Sequence, residues 1–163
     1  MDLNDIQVPL LDGTETTFGD LVERKVALVV NVASRCGLTP QYEQLEALHR
    51  RFGGRGFTVI GVPSNQFLQE PGSEGGIATY CSTTWGTTFP MTAKMKLNGK
   101  HADALYKELT QIPDVNGKAG RVKWNFEKFL LGPQGERARF RPTTKPDDPA
   151  IVQLIEEWLP EKS

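Results

Sequence analysis

The chain has 163 residues, 38% of them hydrophobic and 24% charged, and carries a net charge of −1. Length and composition fit one globular domain over 1–163 with a single good core. Acids and bases are interleaved, so nothing points to nucleic acid or an anionic membrane as partner, and no run nears the ~20 apolar residues of a membrane span.

The first residues, MDLND, are acidic and lack an apolar leader region. This reads as a cytoplasmic protein, though a mature exported (periplasmic) chain would look the same. Residues 6–10 and 14–18 alternate around Asp12-Gly13 and predict a small hairpin. Residues 20–25 read as a connection. The run VALVVNV at 26–32 is β-branched and uninterrupted, the mark of a strand buried on both faces.

After Ser34-Arg35-Cys36-Gly37, Thr39-Pro40 is expected to cap and open a helix whose core face is Tyr42, Leu45, Leu48 and Phe52. Gly53-Gly54 ends it, and FTVIGV at 57–62 is a second buried strand. Strand, helix and strand of these lengths form a parallel βαβ unit with a right-handed crossover. Residues 68–76, rich in glycine and proline, read as loop, and residues 77–85 as a weak, threonine-rich helix closed by Gly86.

A further helix presents Ala102, Leu105, Tyr106 and Leu109, and 114–121 is a polar loop. Strands at 128–131 and 138–141 flank the turn Pro133-Gln134-Gly135. A last helix, capped by Asp147 or Asp148, buries Ile151, Leu154, Ile155 and Trp158. The order predicts an α/β chain with a thioredoxin-like fold, a central mixed β-sheet flanked by helices behind an N-terminal β-hairpin.

Two cysteines, Cys36 and Cys81, are too few for a disulfide scaffold and form no C-x-x-C pair. With His49 and His101 they lack metal-site spacing, and neither a metal nor a cofactor is called for. Both histidines read as surface residues, His49 as a solvated cation beside Arg50-Arg51. Cys36 lies where a central strand ends and a helix begins, where backbone N–H groups favour a thiolate. On position alone, a reactive nucleophile and a small buried hydrophobe stand level.

The segments NVASRCGLTPQY (31–42), SNQF (64–67) and WNFEKF (124–129) resemble, in order and spacing, the three signature blocks of the glutathione peroxidase family. The resemblance runs over nearly the whole chain. It implies a peroxidase that reduces hydrogen peroxide and organic or lipid hydroperoxides through Cys36, assisted by Gln66, Trp124 and Asn125. An unperturbed thiol is only about 3% thiolate at pH 7. A helix N-terminus, Arg35 and the N–H donors of those three side chains would stabilise the anion. Being mostly neutral and non-titrating, these donors suit activity over a broad pH range and would serve the leaving oxygen as an oxyanion hole. Cys36 would pass through a sulfenic acid.

The segment IATYCSTTWGTTFPM around Cys81 resembles the resolving-cysteine block of the family's thioredoxin-dependent branch. That implies a Cys36–Cys81 disulfide reduced by thioredoxin. Cys81 sits in a predicted helix, so this helix is expected to unwind before the sulfurs meet. Ser64 stands where many relatives have a third cysteine. The short 114–121 loop lacks the insertion of tetrameric relatives and implies a monomer. Alternatives of other kinds are a glutathione-dependent peroxidase, a peroxide sensor that relays oxidation to a partner protein, and an accessory binding protein.

Overall fold

A computed structural model describes residues 2–33, 36–65, 67, 70 and 72–160. Four strands form the central sheet: β3 (Val26–Val32), β4 (Phe57–Pro63), β5 (Lys128–Leu131) and β6 (Arg137–Phe140), in the order β4-β3-β5-β6. β3 and β4 are parallel, from Val26 opposite Phe57 to Val32 opposite Pro63. β5 runs antiparallel to β3, with Val30 opposite Lys128, and β6 antiparallel to β5. A separate hairpin pairs β1 (Gln7–Pro9) with β2 (Glu15–Thr17). This is the expected thioredoxin-like arrangement of a mixed sheet with helices on both faces.

The β-branched run of β3 is wholly buried because it serves two cores at once. Val26, Leu28, Val30 and Val32 face one cluster, built with α2 (Gln41–Phe52) and α5 (Pro149–Trp158). Ala27 and Val29 face the other, built with α1 (Phe18–Val22) and α4 (Ala104–Leu109). Period-two alternation sends successive side chains to opposite faces, so Asn31 falls on the second face.

Several boundaries differ from expectation for identifiable reasons. Phe18 leaves the hairpin to begin α1, because the Thr17 hydroxyl accepts from the Asp20 N–H at 3.2 Å and caps a helix there. α2 begins at Gln41, and the Thr39 hydroxyl caps nothing on it. The weak helix starts earlier than predicted, as α3 (Glu74–Tyr80), since the Ser73 hydroxyl accepts from the Gly76 N–H at 3.1 Å. Gly75 and Gly76 therefore lie inside it. Residues Cys81–Trp85 continue as a π-helical turn that Gly86 ends with φ 62°. Such turns concentrate at functional sites. As predicted, Asp148 caps α5, accepting from the Ala150 N–H at 2.9 Å, with Pro149 at its first position.

His49 corrects its expected role as a solvated cation. The ring is half-buried, and its Nδ1 accepts the Val59 N–H of β4 at 3.3 Å. It meets Phe89 edge to face. Accepting requires a neutral nitrogen, and burial, aided by Lys25 and Arg50, lowers its pKa against the opposing pull of Glu46. The unfolded chain binds the proton more readily, near pH 6.5. Stability from this group is thus complete above that value and lost as pH falls through the lower folded value. Thermal melts between about pH 7.5 and 5 should show an acid-side decline that is flatter in His49→Gln. An unchanged decline in that variant would exclude His49 as its source.

No helix among the described residues is long and apolar enough to cross a membrane.

Candidate active site

The topology gathers distant blocks at one sheet edge. β3 and β4 are parallel, so both end there, and β5 is antiparallel, so it begins there. Residues following β3 and β4 and residues preceding β5 are thereby brought together. Open α/β sheets place their chemistry at this edge.

Cys36 follows β3 in a loop closed by Thr39. The Cys36 N–H donates to the Thr39 hydroxyl at 3.0 Å, and that hydroxyl donates to the Ala33 carbonyl at 2.9 Å. The thiol is 7% exposed, and its sulfur accepts two N–H donors. The Trp124 indole Nε1–H donates at 3.2 Å and the Leu38 backbone N–H at 3.4 Å. Leu38 was not anticipated by sequence reasoning. Its N–H belongs to the turn ahead of α2, so backbone donation comes from that turn and not from the helix terminus.

Trp124 is not a core aromatic: it is 39% exposed, and Phe67 packs on it with ring centroids 5.3 Å apart. Asn125, the next residue, is fully buried, and neither atom of its amide has a hydrogen-bond partner among the described residues. Buried amides are almost always satisfied, so an orphan of this kind calls for an explanation. Gln66 and Arg35, the other expected contributors, lie outside the described residues, as do Ser34, Leu68, Gln69 and Pro71.

Cys81 is a free thiol, as is Cys36. It lies 2% exposed in the same apolar cluster as Cys36, and its S–H donates to the Tyr42 hydroxyl at 3.5 Å. Burial raises its pKa, with Glu70 adding to the shift against the Tyr42 hydrogen bond. Tyr42 is itself fully buried, stacked with Trp85 and with Phe89 and edge-on to Phe126.

The model of the family described as "Glutathione peroxidase" matches residues 3–110. The chain belongs to the glutathione peroxidase family. It is 45% identical to "Thioredoxin/glutathione peroxidase BtuE" of Escherichia coli, covering 89% of this chain and 90% of that one. It is 49% identical to "Hydroperoxy fatty acid reductase gpx1" of Synechocystis, covering 91% and 90%. The solved structure of Trgpx in apo form superposes with a TM-score of 0.75 at 36% identity, covering 97% of this chain and 95% of that one. Like other members of the glutathione peroxidase family, this chain is an oxidoreductase of the peroxidase class, here with cysteine at the position after β3.

Proposed function

We propose that the chain is a thiol peroxidase in which Cys36 attacks hydrogen peroxide and organic or lipid hydroperoxides, and thioredoxin restores the thiol. The Cys36 thiolate forms a bond to one peroxide oxygen as the O–O bond breaks. The other oxygen leaves as water or an alcohol after protonation, and Cys36 is oxidised to a sulfenic acid. The Cys81 thiolate then attacks the Cys36 sulfur, an S–S bond forms, and the hydroxyl departs as water. A dithiol of thioredoxin reduces that disulfide by exchange.

The observation that carries this reading is the Trp124 indole N–H on the Cys36 sulfur at 3.2 Å. An indole N–H stabilises the thiolate without titrating or capturing it in a salt bridge. The amide of Asn125, the next residue, has no partner among the described residues and supplies a donor and an acceptor for the peroxide oxygens, an oxyanion-hole role. Gln66 joins this donor set on the strength of the family motif. The exposed Trp124 face and Phe67 offer apolar surface that suits organic hydroperoxides, in keeping with the name of the Synechocystis relative. Two free thiols suit a reducing, cytoplasm-like compartment.

The test is NADPH-coupled turnover of hydrogen peroxide and a fatty acid hydroperoxide, run separately with thioredoxin and with glutathione. Thioredoxin is expected to sustain turnover at rates well above glutathione. Fast glutathione turnover with a negligible thioredoxin rate would overturn the reductant, and no turnover with either would favour the sensor reading.

A further inference from the structure

We propose that Asn31 is a positioning residue that aims the Trp124 indole at the Cys36 sulfur. The inference rests on the peroxidase reading above. Asn31 is fully buried near the end of β3, paired in the sheet opposite Val62. On the other side of β3 the ladder with β5 runs only as far as Val30 opposite Lys128. Beyond that point Asn31 holds the departing chain by other means.

Its side-chain Nδ2–H donates to the Trp124 carbonyl at 3.1 Å. Its Oδ1 accepts the Glu127 N–H at 3.0 Å. Its backbone carbonyl accepts the Phe126 N–H at 2.6 Å. One residue therefore grips both ends of the four-residue segment 124–127 and a point inside it. A segment needs such a grip when its backbone is unfavourable, and Phe126 has φ 65°. A bulky residue in the left-handed region is an outlier that persists only where its surroundings enforce it.

Trp124 and Asn125 precede that left-handed residue, so their direction is set by the turn that Asn31 enforces. The anchor is rigid because β3 is buried along its whole length. The indole N–H consequently meets the sulfur from a fixed frame although the ring is 39% exposed. Apolar residues at this position would leave the Trp124 carbonyl and Glu127 N–H without these partners. Asn31 thus acts through Trp124 without itself bonding to the sulfur.

The experiment follows oxidation of Cys36 by hydrogen peroxide in a Cys81→Ser parent, read by intact mass after rapid quenching. Removing the indole donor with Trp124→Phe should slow oxidation by about 10- to 100-fold, the range for a hydrogen bond to a charged group. Asn31→Asp keeps the acceptor for the Glu127 N–H but loses the donor to the Trp124 carbonyl. It should slow oxidation by about 10-fold. In the Trp124→Phe background the same change should cost only about twofold, because the two residues act through one contact. Asn31→Ser, smaller and uncharged, should repeat the pattern if the aspartate does not fold.

Ile155→Val, a core change in α5 away from the segment, controls for loss of stability. It should leave the oxidation rate unchanged. Rates for both Asn31 variants within about twofold of the parent, or an equal slowing with and without Trp124, would overturn the proposal. Slowing of the same size in Ile155→Val would also overturn it, by showing that stability alone sets the rate. A parent inert to peroxide overturns the peroxidase reading and this inference with it, whereas a reactive parent with indifferent Asn31 variants overturns this inference alone.

Discussion

Cys81→Ser should consume peroxide rapidly for a single stoichiometric round and then stop, with thioredoxin unable to sustain turnover, whereas Cys36→Ser should lose even the first round. The asymmetry follows from where the two thiols sit. Cys36 already has its donors in place, the Trp124 indole and the Leu38 N–H. Cys81 is buried, held by the Tyr42 hydroxyl, and raised in pKa by that burial. On the proposed mechanism Cys81 leaves this pocket to attack an oxidised Cys36. A Cys81→Ser protein that kept full thioredoxin turnover would sink the idea.

The proposed resolution step requires the segment around Cys81 to open ahead of a chain that is held to α2. Among the described residues, Ile77 of α3 and Cys81 of the π turn are buried in the main core cluster, and Trp85 packs against it. Beyond the turn, Glu46 of α2 clamps Thr88, accepting its N–H at 2.7 Å and its hydroxyl at 2.6 Å. Arg50 holds the Gly86 carbonyl at 3.3 Å. Opening must lift Ile77, Cys81 and Trp85 from the core but need not disturb the chain past Gly86. Gly75 keeps the helical part weak, and a methyl added there would meet nothing within 4 Å. Gly75→Ala should stabilise α3 by up to ~1 kcal/mol. Resolution of the sulfenic acid, followed by rapid-quench mass, should then slow by up to about fivefold. The initial oxidation of Cys36 should not change.

The sheet was legible because β3 and β4 are buried on both faces and announce themselves as unbroken β-branched runs. The gathering of Cys36 and Trp124 at one edge was legible from strand direction together with the family motifs. What escaped were features that depend on side-chain hydrogen bonds across long separations. Asn31 in a strand reads as a weak strand former, and only its bonds to residues 124–127 reveal its part. The cap at Thr17 was visible in principle as threonine three residues ahead of an aspartate, but strand alternation outweighed it. His49 beside two arginines reads as solvent-facing until β4 is placed against it. The donor from Leu38 is a backbone group, on which residue identity is silent.

Burial of full charges was the least legible feature. Lys128 is completely buried in β5, its ammonium donating to the Pro142 carbonyl at 2.7 Å, and burial lowers its pKa to about 7 against the pull of Glu127. Glu127 and Arg139 are likewise buried.

Arg139→Met should be the most destabilising single change outside the apolar core. Its guanidinium pairs with Glu127 with neither side chain exposed. It also donates to the carbonyls of Ile112 at 3.1 Å and Arg121 at 3.1 Å, and lies 4.9 Å from the centre of the Phe129 ring. One cation thus ties β6 to the residue that follows Phe126 and to both ends of the 112–121 loop. Methionine preserves much of the volume and leaves the Glu127 carboxylate paired with Arg141 at 2.8 Å. Removing one member of a buried pair costs ~3–5 kcal/mol where the other charge is left uncompensated, and the retained Arg141 contact places this change at the low end, about 3 kcal/mol. For a chain of this size that is a fall of about 10 °C in Tm. The share of the Glu127–Arg139 ion pair can be tested separately. Glu127→Gln combined with Arg139→Met should lose less stability than the two single changes summed, by ~0.5–3 kcal/mol. Strict additivity would mean that the arginine stabilises through its carbonyl contacts and the Phe129 face, with the ion pair itself contributing nothing.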